Sequence, residues 1–151
     1  MPEKATVERA RRDARQGKAP STQAGEFVRE EIHHVREGKH GARSTKQAIA
    51  IGLSKARRAG VKLAPPRKGR ARARTRKQAA RDYRKGQHRQ AAKTSSRRSR
   101  ATARALRRER HSAVSRQALA RQAKQSARAR PRAERRRAAK RAARTRRSHR
   151  Q

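Results

Sequence analysis

The larger apolar residues are concentrated in the first 63 positions, where they recur at helical spacing. From about 22 to 37, Ala24, Phe27, Val28, Ile32 and Val35 fall mostly three and four apart, which predicts an amphipathic helix. Ser21 or Thr22 offers a cap at its start, and Gly38 stands where a C′ glycine belongs. Residues 39–43 make a short connection. Ser44 then opens a helix to about Ala59, with Gln47 three positions on in a capping-box pattern. Ala48, Ile49, Gly52, Leu53, Ala56 and Ala59 line one of its faces, and Gly60 stops it. Glycine inside a helix costs about 1 kcal/mol against alanine, so Gly52 within the apolar stripe predicts close approach of a partner helix. The first helix is acidic, with Glu26, Glu30 and Glu37 on one flank; the second carries Lys46, Lys55, Arg57 and Arg58 and no acid. An antiparallel hairpin over 21–63 follows, with Phe27, Val28, Ile32, Val35, Ile49 and Leu53 as its expected core.

Residues 3–16 could form a shorter helix, with Glu8 beside Arg11 and Arg12, so segment 1–20 is read as a short N-terminal helix or a flexible segment. Gly17 and Pro20 break it. A hairpin this small needs help from that helix or from a second copy of the chain.

Pro65-Pro66 closes the head. From Ala64 onward the only larger apolar residues are Tyr83, Leu106, Val114 and Leu119. At about 1.5–3 kcal/mol per buried large side chain, they fall short of an ordering cost of about 1–2 kcal/mol per backbone residue. Ala, Arg, Lys and Gln favour helix over roughly 71–85, 98–129 and 132–147. Like charges at i, i+4, such as Arg104–Arg108 and Arg137–Arg141, oppose it until an anion neutralises them. The expected fold is therefore all-α: a helical hairpin head followed by a low-complexity arm, 64–151, that is conditionally helical or disordered.

Charge turns this architecture into a function class. Lys and Arg number 49 against 10 Asp and Glu. Residues 1–60 carry a net +7, whereas 61–151 carry +32 with Asp82, Glu109 and Glu134 as the only acids. Such a segment calls for a polyanion. The candidate phosphate-binding residues are Arg70, Arg72, Arg74, Arg76, Lys77 and Arg81 in its first third. In the middle they are Arg97, Arg98, Arg100, Arg104, Arg107 and Arg108. Near the end they are Arg135, Arg136, Arg137, Lys140, Arg141, Arg144, Arg146 and Arg147. Arg outnumbers Lys about three to one, which suits bidentate phosphate contacts, although a GC-rich genome gives the same bias. Phe27 and Tyr83 are the only aromatics, so platforms for stacking unpaired bases are missing. The expected partner is double-stranded DNA, contacted along its backbone with little sequence preference; rRNA is the alternative.

The stretch Ser44-Thr45-Lys46-Gln47-Ala48-Ile49-Ala50-Ile51-Gly52-Leu53-Ser54-Lys55-Ala56-Arg57-Arg58-Ala59-Gly60, preceded by Glu26-Phe27 and His40-Gly41, resembles a motif of short basic bacterial proteins. They share a helical domain of unknown function, and the resemblance covers roughly 20–63. It implies a bacterial source and a helical head, and brings no reaction, cofactor or ligand with it. The arm is similar in composition to the tails of bacterial linker-histone-like proteins, but uses Arg where they favour Lys and has few prolines. A nucleoid-associated, histone-like role is the expectation.

Other chemistries find less support. There is no cysteine for a disulfide or a Cys-based zinc site. No apolar run nears the roughly 20 residues of a membrane span, and no signal-peptide core follows Met1, so a cytoplasmic location is expected. The arm also lacks the Leu, Phe or Trp face of a membrane-active peptide. No nucleophile elbow or phosphate-cradling glycine loop appears, so no enzyme and no cofactor is assigned. His33 and Glu37, at i, i+4, with His40 as a third ligand, are read as a polar helix face and a turn histidine, and no metal site is assigned. The hydroxyl cluster from Thr94 to Ser99 is read as a linker, with Ser95, Ser96 and Ser99 open to a kinase.

Overall fold

The computed structural model describes residues 2–88 and 95–148. Among them are seven α-helices and no strand: α1 (Lys4–Arg15), α2 (Pro20–Arg36), α3 (Thr45–Arg58), α4 (Ala73–Gln87), α5 (Ser96–Arg107), α6 (Arg116–Arg128) and α7 (Arg132–Ser148), with a 3-10 turn at Ser112–Val114. The all-α class is as expected. The chain divides into two compact units, one up to Ser115 and one from Arg116.

In the first unit the hairpin forms as its periodicity predicts, with α2 and α3 as the main packing pair. Ser44 caps α3 by accepting from the Gln47 N–H at 3.2 Å, and the Gln47 side chain accepts from the Arg43 N–H at 2.7 Å. That return bond reaches one residue further back than in a standard capping box. Gly38 and Gly60 both adopt positive φ, at 74° and 94°, as the C′ position requires. Gly52 faces the backbone of α2: a β-carbon there would lie 2.7 Å from Val28 Cα. The close approach expected at Gly52 is real. The start of α2 differs from expectation. Pro20 does not break the chain but occupies the first turn, with Ala19 as the N-cap, because proline gives up no hydrogen bond there and its fixed φ suits a helix.

The core is split in two. Phe27, Ala10, Ala24, Ala56 and Val61 form one cluster, with Val7, Leu53 and Leu63 packed against it. Val35, Ala42, Ala48 and Val114 form another, flanked by Ile32 and Ala113. Of the six expected core residues, Phe27 and Val35 are buried, while Val28, Ile32, Ile49 and Leu53 are only half-buried. The axis of contact on α3 runs through Ala48, Gly52 and Ala56 instead. Small residues let the helices approach so closely that the bulkier neighbours on α3 are pushed to the margin.

The compact unit also runs past residue 63. Helix α1 packs on α2, and α4 packs on α3. The end of α5 and the chain after it meet the α2–α3 turn: the Gly41 N–H donates to the Leu106 carbonyl at 2.9 Å and the Ala42 N–H to the Arg110 carbonyl at 3.0 Å. A β-carbon on Gly41 would overlap the Glu109 carbonyl. Val114 is 0% exposed, and Arg36 donates to its carbonyl at 3.2 Å. The help that so small a hairpin needs thus comes from α1, from α4 and from residues 106–114. The second unit is different. None of its described residues is fully buried; Leu119 on α6 and Ala138 on α7 are half-buried.

Candidate nucleic-acid interface

Helix α4 owes its place to one acidic residue and two small ones. Ala79, Asp82 and Gly86, spaced three and four apart, are its buried face. Gly86 lies against the Arg57 carbonyl, which a β-carbon would overlap. Asp82 is 3% exposed; it accepts from the Ser54 hydroxyl at 2.7 Å and from the Gln78 amide at 3.2 Å, and Arg58 lies 3.8 Å away. Gln87 donates to the Gly60 carbonyl at 3.2 Å. The contacts with Ser54, Gln78 and Arg58 compensate the cost of burying the Asp82 carboxylate.

With that face turned inward, the opposite face turns outward, and it is basic. Arg74, Lys77, Arg81 and Arg84 recur at intervals of three, four and three, and all are exposed, as is Lys85. At 1.5 Å per residue this ridge is about 15 Å long. Duplex DNA carries a charge about every 1.7 Å of axis, so the ridge faces several phosphates at once. Arg97, Arg100, Arg104 and Arg107 repeat the same spacing along α5 and are likewise exposed. On α7, Arg135, Arg136, Arg137, Lys140, Arg141, Arg144, Arg146 and Arg147 are all exposed and spread around most of the helix. Of the candidates named from sequence, Arg70, Arg72, Arg98 and Arg108 are exposed too, and Arg76 alone is half-buried.

Sequence reasoning left out Arg84 and Lys85 on α4, and Arg116, Arg121, Lys124 and Arg128 on α6, which are equally exposed. The recurring interval along α4, opposite Ala79-Asp82-Gly86, was the available signal for the first two. Arg57 is the reverse case, a basic residue withdrawn from any ligand. It is buried, donating to the Leu63 and Ala64 carbonyls at 3.1 and 3.5 Å. Burial pulls its guanidinium below the ordinary range, partly offset by Asp82.

Most acids of the head are paired with its own bases. Arg9 reaches Glu26 at 2.7 Å, Lys18 reaches Asp13 at 2.7 Å, and Lys55 lies 2.6 Å from Glu31 and 3.5 Å from Glu30. The charge complementarity expected between α2 and α3 is thus centred on Lys55. Glu3 accepts from His34 at 2.8 Å, a hydrogen bond that holds its carboxyl below the usual range. The histidine grouping differs from the one suggested by spacing. His33 and Glu37 stay exposed; among the described residues, Glu31, His34 and His40 are the three whose ligand atoms come within 4.8 Å of one another.

Residues 3–69 match a family of unknown function (DUF6496). The match spans less than half the chain and covers α1, α2 and α3, so the helical region is similar to a domain of unknown function, while the remaining helices lie beyond it. No characterised protein and no solved structure matches the chain. No helix among the described residues is long and apolar enough to cross a membrane.

Proposed function

We propose that the chain is a bacterial nucleoid-associated, histone-like protein that binds and compacts double-stranded DNA through sequence-independent phosphate contacts. The observation that carries this reading is the pairing of charge with exposure. Residues 61–151 hold a net +32, and nearly all their candidate cations stand on outward helix faces, while most of the head's acids are paired within the head. Neutralising phosphates releases condensed counterions, which supplies affinity without reading bases. The ridge on α4 belongs to a helix packed on α3, so it meets the backbone already ordered. Helices α6 and α7 have no buried core, and their helicity is expected to depend on the bound polyanion, which removes the repulsion between like charges a turn apart. The folded head serves as the surface through which copies associate on one duplex. The scarcity of aromatics favours a duplex over looped RNA.

The deciding experiment measures duplex affinity of the full chain against salt. With about ten phosphates contacted, log K should fall against log salt with a slope near about −9. Duplexes of unrelated sequence should compete within a few-fold of one another. Replacing Arg74, Lys77, Arg81 and Arg84 by Gln should flatten the slope by about 3 to 4, at about 0.9 per lost contact. A slope that does not change would remove the α4 ridge from the interface. A large preference for structured rRNA at the same salt would overturn the DNA reading in favour of a ribosome-associated role.

A further inference from the structure

Glu31 and His34 lie one turn apart on α2, and His40 follows in the turn after that helix. Each brings a ligand atom to within 4.8 Å of the other two. We propose that these three residues bind a divalent transition metal of the zinc class.

Glu31 is the starting point. It is 0% exposed, and neither of its carboxylate oxygens receives a directed hydrogen bond. Lys55 lies 2.6 Å from Oε2, close enough to pair its charge but outside the angles of a hydrogen bond. Oε1 faces the other way, 3.3 Å from His40 Nε2. The opposite nitrogen of His40, Nδ1, lies 3.1 Å from the Gly41 carbonyl oxygen. A carbonyl only accepts, so Nδ1 carries a proton, and in the neutral ring Nε2 directs its lone pair at Glu31 Oε1. In that neutral form the two electron-rich atoms repel, and a divalent cation held by both would remove the repulsion.

His34 is arranged in the same sense. Its Nε2 lies 2.8 Å from the Glu3 carboxylate. Each imidazole thus has one ring nitrogen held by an oxygen acceptor, the outer arrangement that fixes the tautomer and orientation of metal-binding histidines. The ligand set of two imidazoles and one carboxylate selects zinc and its neighbours over magnesium and calcium, which prefer all-oxygen shells. Zinc held tetrahedrally at about 2.0–2.1 Å keeps adjacent ligand atoms about 3.3 Å apart, the spacing already present between Glu31 and His40. Three protein ligands leave a fourth position for water. Lys55 occupies the Oε2 side of the carboxylate and leaves the Oε1 side open. The ion would tie the end of α2 to the turn that receives residues 106–114, since Gly41, beside His40, bonds Leu106.

The test uses the full chain, freed of nucleic acid, stripped with a chelator and titrated with Co²⁺ and then Zn²⁺. One saturable equivalent with a four-coordinate Co²⁺ spectrum, displaced by Zn²⁺, is expected, and the thermal midpoint should rise with either ion. His34→Ala and His40→Ala should each lose at least about tenfold in affinity, with circular dichroism confirming that they remain helical. His33→Ala and His88→Ala should bind as the parent does. If the ligand variants fail to fold, the parent titration decides by itself. The proposal is overturned by the absence of a saturable Co²⁺ equivalent or by an octahedral spectrum. It is overturned equally by affinity unchanged in both H34A and H40A, or by an imidazolium at His40 that no ion displaces.

Discussion

Replacing Gly86 by Ala asks whether α4 belongs to the folded head. A β-carbon at Gly86 would overlap the Arg57 carbonyl and sit 3.1 Å from the Gly60 nitrogen. Both neighbours are backbone, so neither can swing aside, and α4 must move away from α3. That shift weakens the Ser54–Asp82 hydrogen bond, 2.7 Å long, and leaves a carboxylate only 3% exposed without its partner. Overpacking of this kind costs about 1–3 kcal/mol, and rigid walls on both sides place it near about 3. Against that, Ala gains about 1 kcal/mol over Gly in helix propensity, leaving a net loss of about 2 kcal/mol. For a unit of this size the melting midpoint should drop by about 10 °C. Gly25 supplies the matched control: it too lies within a helix, but nothing surrounds it within 4 Å, so Gly25→Ala should stabilise by up to about 1 kcal/mol. The assay is cooperative thermal unfolding of the full chain, followed by circular dichroism in salt high enough to screen the arm. If Gly86→Ala raises the midpoint as Gly25→Ala does, α4 is not docked, and the fixed ridge Arg74, Lys77, Arg81, Arg84 goes with it.

Four further substitutions probe the same unit. Val114→Ala should lose about 1.5–2 kcal/mol, since the side chain is 0% exposed among Val35, Ala42 and Ala48; an unchanged denaturation midpoint would detach residues 106–114 from the head. Phe27→Ala should cost about 3–5 kcal/mol because Phe27 is 1% exposed, whereas Leu53→Ala, at a half-buried position, should cost less than about 2. Equal losses in chemical denaturation would contradict the split core. Ser44→Ala removes the acceptor for the Gln47 N–H and should cost about 1 kcal/mol, which urea unfolding would register.

Much of the local structure was legible because its causes are local. The intervals of three and four in α2 and α3, the caps at Ser44 and Gly38, and the stop at Gly60 each act within a turn or two of chain. Gly52 was readable as a close approach because it interrupts an apolar stripe, where the missing side chain has an evident use. Gly86 and Gly41 carry the same message in polar surroundings, and there it is silent. Asp82 reads as a stray acid in a basic segment until Ser54, 28 residues away, supplies its partner. Val114, alone among arginines and serines, has no period to detect, because the residues that bury it lie on α2, on α3 and in the turn between them.

The candidate interface divides along the same line. The sequence alone determined the sign, amount and location of the charge, since net charge is a sum over residues and needs no geometry. It also determined the absence of cysteine and the scarcity of aromatics, and with them the classes of chemistry to set aside. Only the tertiary structure decided which bases are withdrawn, as Arg57 is, and which form a ridge, as Arg74, Lys77, Arg81 and Arg84 do. It also replaced the grouping of His33, Glu37 and His40 by one of Glu31, His34 and His40. A helical period sorts residues into faces, but which carboxylate on α2 is buried depends on where Gly52 lets α3 cross. That crossing is set by backbone-to-backbone contact between residues far apart in sequence, and no local pattern encodes it.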